Sequence, residues 1–366
     1  MRFTFERSLL LKEIAMANEI IVSKNAISIL SNIYFEAKDD SLTIKATDMK
    51  VNFETKVPVT VLEEGSVTVY GDKFFGILNS VPEGEIEFEQ VEGRINIKTL
   101  AKKAKFQLKS IDSDKFPEFS ASGKDFFEIP IRDFKDMIKE TIFAISDDET
   151  RYIMNGVYFE KNDNKFSMVA TDGRRLAHIE KQAPDGLDDF KGVIIPPKIL
   201  SIVMKRAGEE GMAKISVTDK MIFIQFGSYK LSSVLIEGQF PNYRRVIPEN
   251  QNNHFTVKRL EMLDALRRVS ILVEQKSHRV YLGLSNDSAS IYCEENDIGN
   301  AREEIPCKYE GEELSIALNY RYLEEPFKVM DGEEIIILFN DPNKTITIKP
   351  VPEKDFFHII MPMQQD

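Results

Sequence analysis

The chain has 366 residues, 42% of them hydrophobic and 30% charged, the composition of a globular protein with two or three domains. With 48 Lys and Arg against 60 Asp and Glu its net charge is −12, which argues against a protein whose whole surface binds nucleic acid. No apolar run reaches membrane-spanning length, residues 1–13 mix charges among apolar positions, and two cysteines make neither a disulfide framework nor a zinc site. A cytoplasmic protein without membrane contact is expected.

The first predicted elements are a short strand and an amphipathic helix, FTFERSLLLKEIAMA (3–17). The same opening recurs at 126–145 and 254–273. In the second, Phe134, Met137, Ile138, Ile142 and Phe143 fall near helical spacing; in the third, Leu260, Leu263, Leu266 and Ile271 do. A hairpin of two alternating runs follows each opening, at 33–54, 157–180 and 280–303, around the polar turns KDDS, KNDN and SNDS. A strand then enters a second helix at 66–81, 192–207 and 314–330, and Pro326 is expected to shorten or kink the last of these. More strands close each unit. The order is β-α-β-β then β-α-β-β-β, three times over. Polar stretches at 120–125 and 248–253 divide the chain into 1–124, 125–252 and 253–366. The fold class is α+β, with two helices packed on antiparallel sheets in each unit.

Ala-Thr-Asp occurs in the first and second hairpins, with Asp48 and Asp172 124 positions apart. Asp172 followed by Arg174 and Arg175 reads in isolation as a base beside an anion site, hence a hydrolase or transferase. The repeat argues otherwise: an Asp kept in both copies is a turn-former. The four histidines are isolated, and no nucleophile elbow, phosphate loop or metal-ligand spacing is present. Neither a catalytic site, a cofactor nor a metal is expected. What is particular to the second copy is Gly173, Arg174, Arg175 and Leu176, together with the double arginine of EGQFPNYRRVIP (237–248). Additions in loops of a rigid repeat are where binding sites sit.

ATDGRRLA, EGQFPNYRRVIP, LNYRYL (318–323), FTFER, NAISILSN (25–32) and the closing MPM are collinear over the whole chain with one family. Together they resemble the beta subunits of bacterial DNA polymerase III, the sliding clamps. The resemblance implies three clamp domains per subunit and a head-to-tail ring of two subunits, a homodimer, with helices lining the central hole and sheets outside. It implies a processivity factor, not an enzyme. Such a ring encircles double-stranded DNA without sequence preference and tethers the replicative DNA polymerase, the clamp loader and other replication or repair proteins. A triplicated protein-interaction scaffold without DNA encirclement is the alternative.

By resemblance, hydrophobic partner peptides enter a groove lined by Met154, Thr171, Gly173, Arg174, Arg175, Leu176, Pro241, Arg245, Val246, Tyr322, Thr345, Ile359, Met361 and Met363. The apolar members offer an adaptable floor, and Arg175 and Arg245 could reach peptide carbonyls or carboxylates. Lys24, Lys198, Lys205, Arg206, Arg259, Arg267 and Arg268 would face DNA, the inner surface being only mildly basic. The subunit contact would join Phe106 and Leu108 to Ile271 and Leu272, with Lys73 and Lys105 pairing Glu303 and Glu304. This chain departs from the family pattern at Ser28, Arg174, Pro326 and the tail Gln364-Gln365-Asp366.

Overall fold

The computed structural model describes residues 1–21, 29–100 and 104–364. The first repeat opens with β1 (Arg2–Glu6), α1 (Arg7–Ile20), β2 (Asn32–Lys38), β3 (Ser41–Thr47), β4 (Val51–Pro58) and β5 (Thr60–Glu63). It closes with β6 (Gly65–Tyr70), α2 (Gly71–Ser80), β7 (Glu85–Val91), β8 (Arg94–Thr99) and β9 (Lys105–Ile111). The second has β10 (Phe127–Pro130), α3 (Ile131–Lys139), β11 (Val157–Asn162), β12 (Lys165–Thr171) and β13 (Arg175–Gln182). It ends in β14 (Phe190–Ile195), α4 (Pro197–Arg206), β15 (Met212–Val217), β16 (Met221–Phe226) and β17 (Tyr229–Val234). The third has β18 (Asn253–Lys258), α5 (Arg259–Val269), β19 (Arg279–Ser285), β20 (Ser288–Cys293) and β21 (Ala301–Lys308). After it come β22 (Leu314–Asn319), α6 (Tyr320–Val329), β23 (Glu334–Phe339), β24 (Ile346–Val351) and β25 (Phe356–Ile360).

All six helices occur in the expected places, with three differences. Each predicted two-stranded hairpin is a three-stranded meander, because the chain turns again after β3, β12 and β20 and returns as β4, β13 and β21. The helix of the second opening stops at Lys139. The Thr141 hydroxyl there donates to the Met137 carbonyl at 2.6 Å, and Ile142–Ala144 continue as one 3-10 turn. Pro326 neither shortens nor breaks α6, which runs on to Val329 with Met330 N–H donating to the Pro326 carbonyl at 2.9 Å. The proline is buried beside Leu323 and Phe327, so tertiary packing outweighs the lost donor.

The chain forms two compact units that cut across the repeats. The first, Met1–Arg132 with Lys198–Leu235, is built on one antiparallel sheet in the order β10-β15-β16-β17-β4-β3-β2-β6-β9-β8-β7-β1-β5. It is continuous because β17 pairs with β4, Leu231 opposite Phe53 and Lys230 opposite Glu54. Its core includes Phe3 stacked on Phe88, with Phe35 and Phe74 edge-on to Phe88. The inward face of α1 carries Leu10, Ile14 and Ala17, at spacings of four and three.

The second unit, Asp133–Pro197 with Ile236–Asp366, has the sheet β14-β11-β12-β13-β25-β24-β23-β18-β21-β20-β19-β22. Here β13 pairs with β25, Leu176 opposite Ile359. Among the described residues no helix is long and apolar enough to cross a membrane.

Candidate functional site

The opening motif sits at the junction of β13 and β25. Asp172 Oδ1 accepts the backbone N–H groups of Arg174 (2.9 Å) and Arg175 (3.1 Å). Thr171 Oγ1 accepts from Gly173 N–H (3.1 Å) and donates to the Arg175 carbonyl (2.5 Å). Gly173 has φ +85°, a left-handed conformation that favours glycine, and the one atom near a Cβ there would be the end of the half-exposed Arg151 side chain. Met361 N–H donates to the Arg174 carbonyl at 2.9 Å, carrying the chain on past β25.

Between this turn and the loop after β17 lies an apolar groove of about 130 Å³. Its lining includes Met154, Thr171, Gly173, Arg174, Arg175, Leu176, Pro241, Val246, Thr345, Ile359 and Met361. Beneath it Leu176, Ile359, Val169, Ile194, Phe240 and Tyr243 pack as one buried cluster. Val246 and Met361 are half exposed, at 50% and 53%, which leaves apolar surface unpartnered in the single chain. Asn242 and Tyr243 also line the groove and were not anticipated; the only sequence signal for them is their place between Pro241 and Arg245.

Three expected lining residues lie elsewhere. Tyr322 and Met363 line a wider cleft that adjoins the groove through Arg174, Arg175 and Met361. Arg245 lines neither, because the 3-10 turn Tyr243–Val246 buries Tyr243 and leaves Arg245 in solvent. Arg175 does not offer its guanidinium to a ligand. Nε donates to Asp172 Oδ2 at 3.0 Å, Nη1 to Glu325 and Nη2 to the Phe143 carbonyl at 2.8 Å, and the group stacks 4.6 Å over Tyr322. It is a strut of the groove wall.

The supporting residues are held neutral or paired. Glu160 accepts from Tyr243 (2.8 Å), Tyr158 (3.1 Å) and Arg244, and burial together with that carboxylate pushes the Tyr158 hydroxyl up to about 12. Burial pushes His178, stacked on Phe357, down to about 4 against the opposing pull of Glu180. His358 goes to about 3, through burial and the charge of Arg175.

The first copy shows what is architecture. Asp48 Oδ1 accepts from Lys50 N–H (2.9 Å) and Val51 N–H (2.7 Å), and Thr47 Oγ1 from Met49 N–H (2.9 Å). Met49 takes the glycine's place at φ +74°. In the third copy Asn296 Oδ1 accepts from Ile298 N–H (2.9 Å) and Gly299 N–H (3.2 Å), the same turn without the tripeptide.

The cations expected to face DNA are engaged within the chain. Lys198 bonds Asp48 (2.6 Å) and the Ile20 carbonyl, Lys205 bonds Glu19 (2.5 Å), and Arg206 donates to the Lys12 carbonyl, so these three tie α4 to the first repeat. Arg259 donates to the Gly332 and Phe327 carbonyls, and Arg267 lies 3.6 Å from both Asp264 and Glu324. Arg268 grips Glu303 through two bonds, 2.8 and 2.6 Å, so within one chain Glu303 is already matched and does not await Lys73 or Lys105. Lys24, Ser28, Gln365 and Asp366 lie outside the described residues.

The residues expected at a subunit contact fall in two places. Lys105, Phe106 and Leu108 are on β9, which pairs with β8 through residues 105–109 and with β6 only at Ser110 and Ile111. Glu303 and Glu304 are on β21, which pairs with β20 through 301–306 and with β18 only at Cys307 and Lys308. Each stretch is a sheet edge among the described residues. Ile271 is 76% exposed, Leu272 beside it is partly covered, and Lys73 is exposed on α2.

Among the described residues no three His, Cys, Asp or Glu side chains are placed to hold a metal. Three copies of one sheet-and-helix unit, with a groove of apolar side chains, define a repeat-built binding protein. The DNA polymerase III beta subunit family matches throughout: its N-terminal domain over residues 1–120, its central domain over 128–242 and its C-terminal domain over 244–364. The beta sliding clamp of Treponema pallidum is 46% identical over the whole of both chains, and that of Caulobacter vibrioides 30%. The crystal structure of the Pseudomonas aeruginosa sliding clamp bound to griselimycin aligns with a TM-score of 0.93 at 27% identity, and the Bacillus subtilis clamp with 0.92 at 26%, each covering all of both chains. The chain belongs to the DNA polymerase III beta subunit family, the beta sliding clamps.

Proposed function

We propose that two copies of this chain close head to tail into a cytoplasmic ring that encircles duplex DNA without reading its sequence. Each copy contributes domains 1–124, 125–252 and 253–366, with the helices toward DNA. The groove tethers the replicative polymerase, the clamp loader and other replication or repair proteins through short hydrophobic peptides.

The repeat supports the ring. The third strand of the first meander, β4, pairs with the last strand of the second repeat, β17. The third strand of the second meander, β13, pairs with the last strand of the third repeat, β25. One such strand and one such partner remain, β21 and β9, and they are the two edges described above. A second chain completes the series in both directions, and covering both edges removes an aggregation hazard.

The register follows by equivalence. Val51 lies opposite Ser233, and Arg175 opposite Ile360. Lys45, Val169 and Tyr292, each opposite the repeated tyrosine Tyr34, Tyr158 or Tyr281, face Glu54, His178 and Arg302 on the third strand, and counting back three residues from these places Gly299 in the series with Val51 and Arg175. Counting from the sheet-crossing contacts of Ile111, Ile236 and Met363 places Leu108 with Ser233 and Ile360. Gly299 then faces Leu108 of a second copy, Asn300 faces Gln107, and Ala301 faces Phe106. Cysteines placed by Gln107→Cys with Asn300→Cys should cross-link into a covalently closed dimer, whereas Gln107→Cys with Arg302→Cys should not. Equal yields, or no cross-link from the first pair, would reject this closure.

The paired cations suit sliding. Contacts to phosphate are few and weak, so retention rests on encirclement rather than affinity.

A further inference from the structure

The cleft adjoining the groove has a volume of about 820 Å³ and a charge unlike the rest of the chain. Its walls are the turn at 145–151, residues 276–279 before and at the start of β19, and the first turn of α6. Four acids line it, and three are matched: Asp172 and Glu325 by Arg175, and Asp148 by Thr150 and Arg151. Against the remaining Asp147 stand Arg174, Lys276 and Arg321, all exposed and without an acidic partner at ion-pair distance among the described residues. The first turn of α6 holds no acid, so the positive end of that helix adds to the same field. His278, in the same wall, is pushed below its ordinary value by burial and by the charge of Arg321. On a chain of net charge −12 this is a local reversal of sign.

We propose that the cleft receives acidic residues flanking the hydrophobic segment that fills the groove, so that the preferred partner is an extended peptide with carboxylates directly beside its apolar anchor. This rests on the groove reading above. The continuity of the two hollows through Arg174, Arg175 and Met361 lets one chain occupy both, which favours a peptide over a nucleic-acid strand. Arg174, Lys276 and Arg321 are specificity residues in this account. They select among peptides, and the apolar groove supplies the basal affinity.

The test uses the full chain and a fluorescent hydrophobic clamp-binding peptide in three forms: with neutral flanks, with three glutamates added before the anchor, and with three added after it. One glutamate form should bind about five-fold tighter than the neutral form, the sum of a few exposed charge contacts. The gain should vanish near 1 M salt, where the screening length falls to about 3 Å. It should also vanish in the K276E/R321E variant, which must bind the neutral peptide as the unaltered chain does. No gain from either glutamate form, or a gain that survives K276E/R321E, overturns the proposal and leaves the groove reading standing. Failure of the neutral peptide to bind removes both. If a short single-stranded oligonucleotide binds in a K276E/R321E-sensitive way while neither glutamate form gains, the cleft belongs to nucleic acid and the proposal is wrong.

Discussion

Asp172 holds Arg175 twice, its Oδ1 accepting the arginine's backbone N–H at 3.1 Å and its Oδ2 the Nε at 3.0 Å. One carboxylate thus shapes the turn that begins β13 and fixes the guanidinium that walls the groove. Asp48 shapes the matching turn of the first copy but spends its second oxygen on Lys198 at 2.6 Å. The same local motif therefore serves two different junctions.

Substitutions at the two aspartates should separate architecture from binding. Asp172→Ala should cost about 2 kcal/mol of stability and weaken groove-peptide binding about ten-fold or more. Asp172→Asn should keep the turn, as Asn296 does in the third copy, yet lose part of the affinity, because its amide nitrogen cannot accept the Arg175 Nε–H. Asp48→Ala should lower stability and leave peptide binding unchanged. Denaturant unfolding with fluorescence anisotropy reads both quantities; equal peptide loss at Asp48 and Asp172 would contradict the assignment.

Met361 lines the groove and is half exposed, whereas Met363 belongs to the adjoining cleft and is held by its backbone N–H to the Ala317 carbonyl at 2.8 Å. Met361→Ala should therefore weaken a hydrophobic groove peptide more than Met363→Ala does, by about 1 to 2 kcal/mol against less than about 1. Neither should alter the subunit contact. Titration calorimetry showing the reverse ranking would move the anchor point to the cleft.

The ring contact should yield to single charges. Leu108→Asp or Ile271→Asp should convert a particle of twice the 42.0 kDa chain mass into one of 42.0 kDa in light scattering. Groove-peptide binding should persist, because neither Leu108 nor Ile271 lines the groove. Dimers that persist unchanged would place the contact elsewhere.

Glu140 carries a pH dependence whose sign is fixed. Burial, reinforced by the charge of Asp136, raises its carboxyl to about 7 from 4.5. Between those values unfolding releases a proton, so this group's contribution is full below pH 4.5 and lost as the pH rises through 7. Relative to the unaltered chain, Glu140→Gln should gain on the order of 2 kcal/mol between pH 4.5 and 8. A difference that stays flat across that range would contradict the burial argument.

Much of this architecture is legible in the residues because the hydrophobic periods are strong and repeated. The openings at 3–17, 126–145 and 254–273 are all strand-then-helix, and the Ala-Thr-Asp turn is structural in both copies that carry it. What escapes is decided by tertiary partners. The third strand of each meander is hidden, in the first two copies because only three residues separate it from the strand before. Pro326 breaks no helix because its ring is packed in a core. Asn296 reproduces the aspartate turn with no sequence identity around it. The cations of α4 and α5 read as free for phosphate, yet their partners, Asp48, Glu19, Glu324 and Glu303, lie far away along the chain. Groove residues were legible where the backbone is special, as at Gly173, and misplaced where a turn alone decides which side chain faces inward, as at Tyr243 and Arg245.

The central claim is that this chain holds DNA by enclosing it. The direct measurement is retention of the loaded protein on circular against linearised duplex DNA of the same sequence, at a salt concentration that removes simple phosphate binding. The account predicts a long-lived complex on the circle and rapid loss from the linear ends, restored when those ends are blocked. Equal loss from both forms would contradict it.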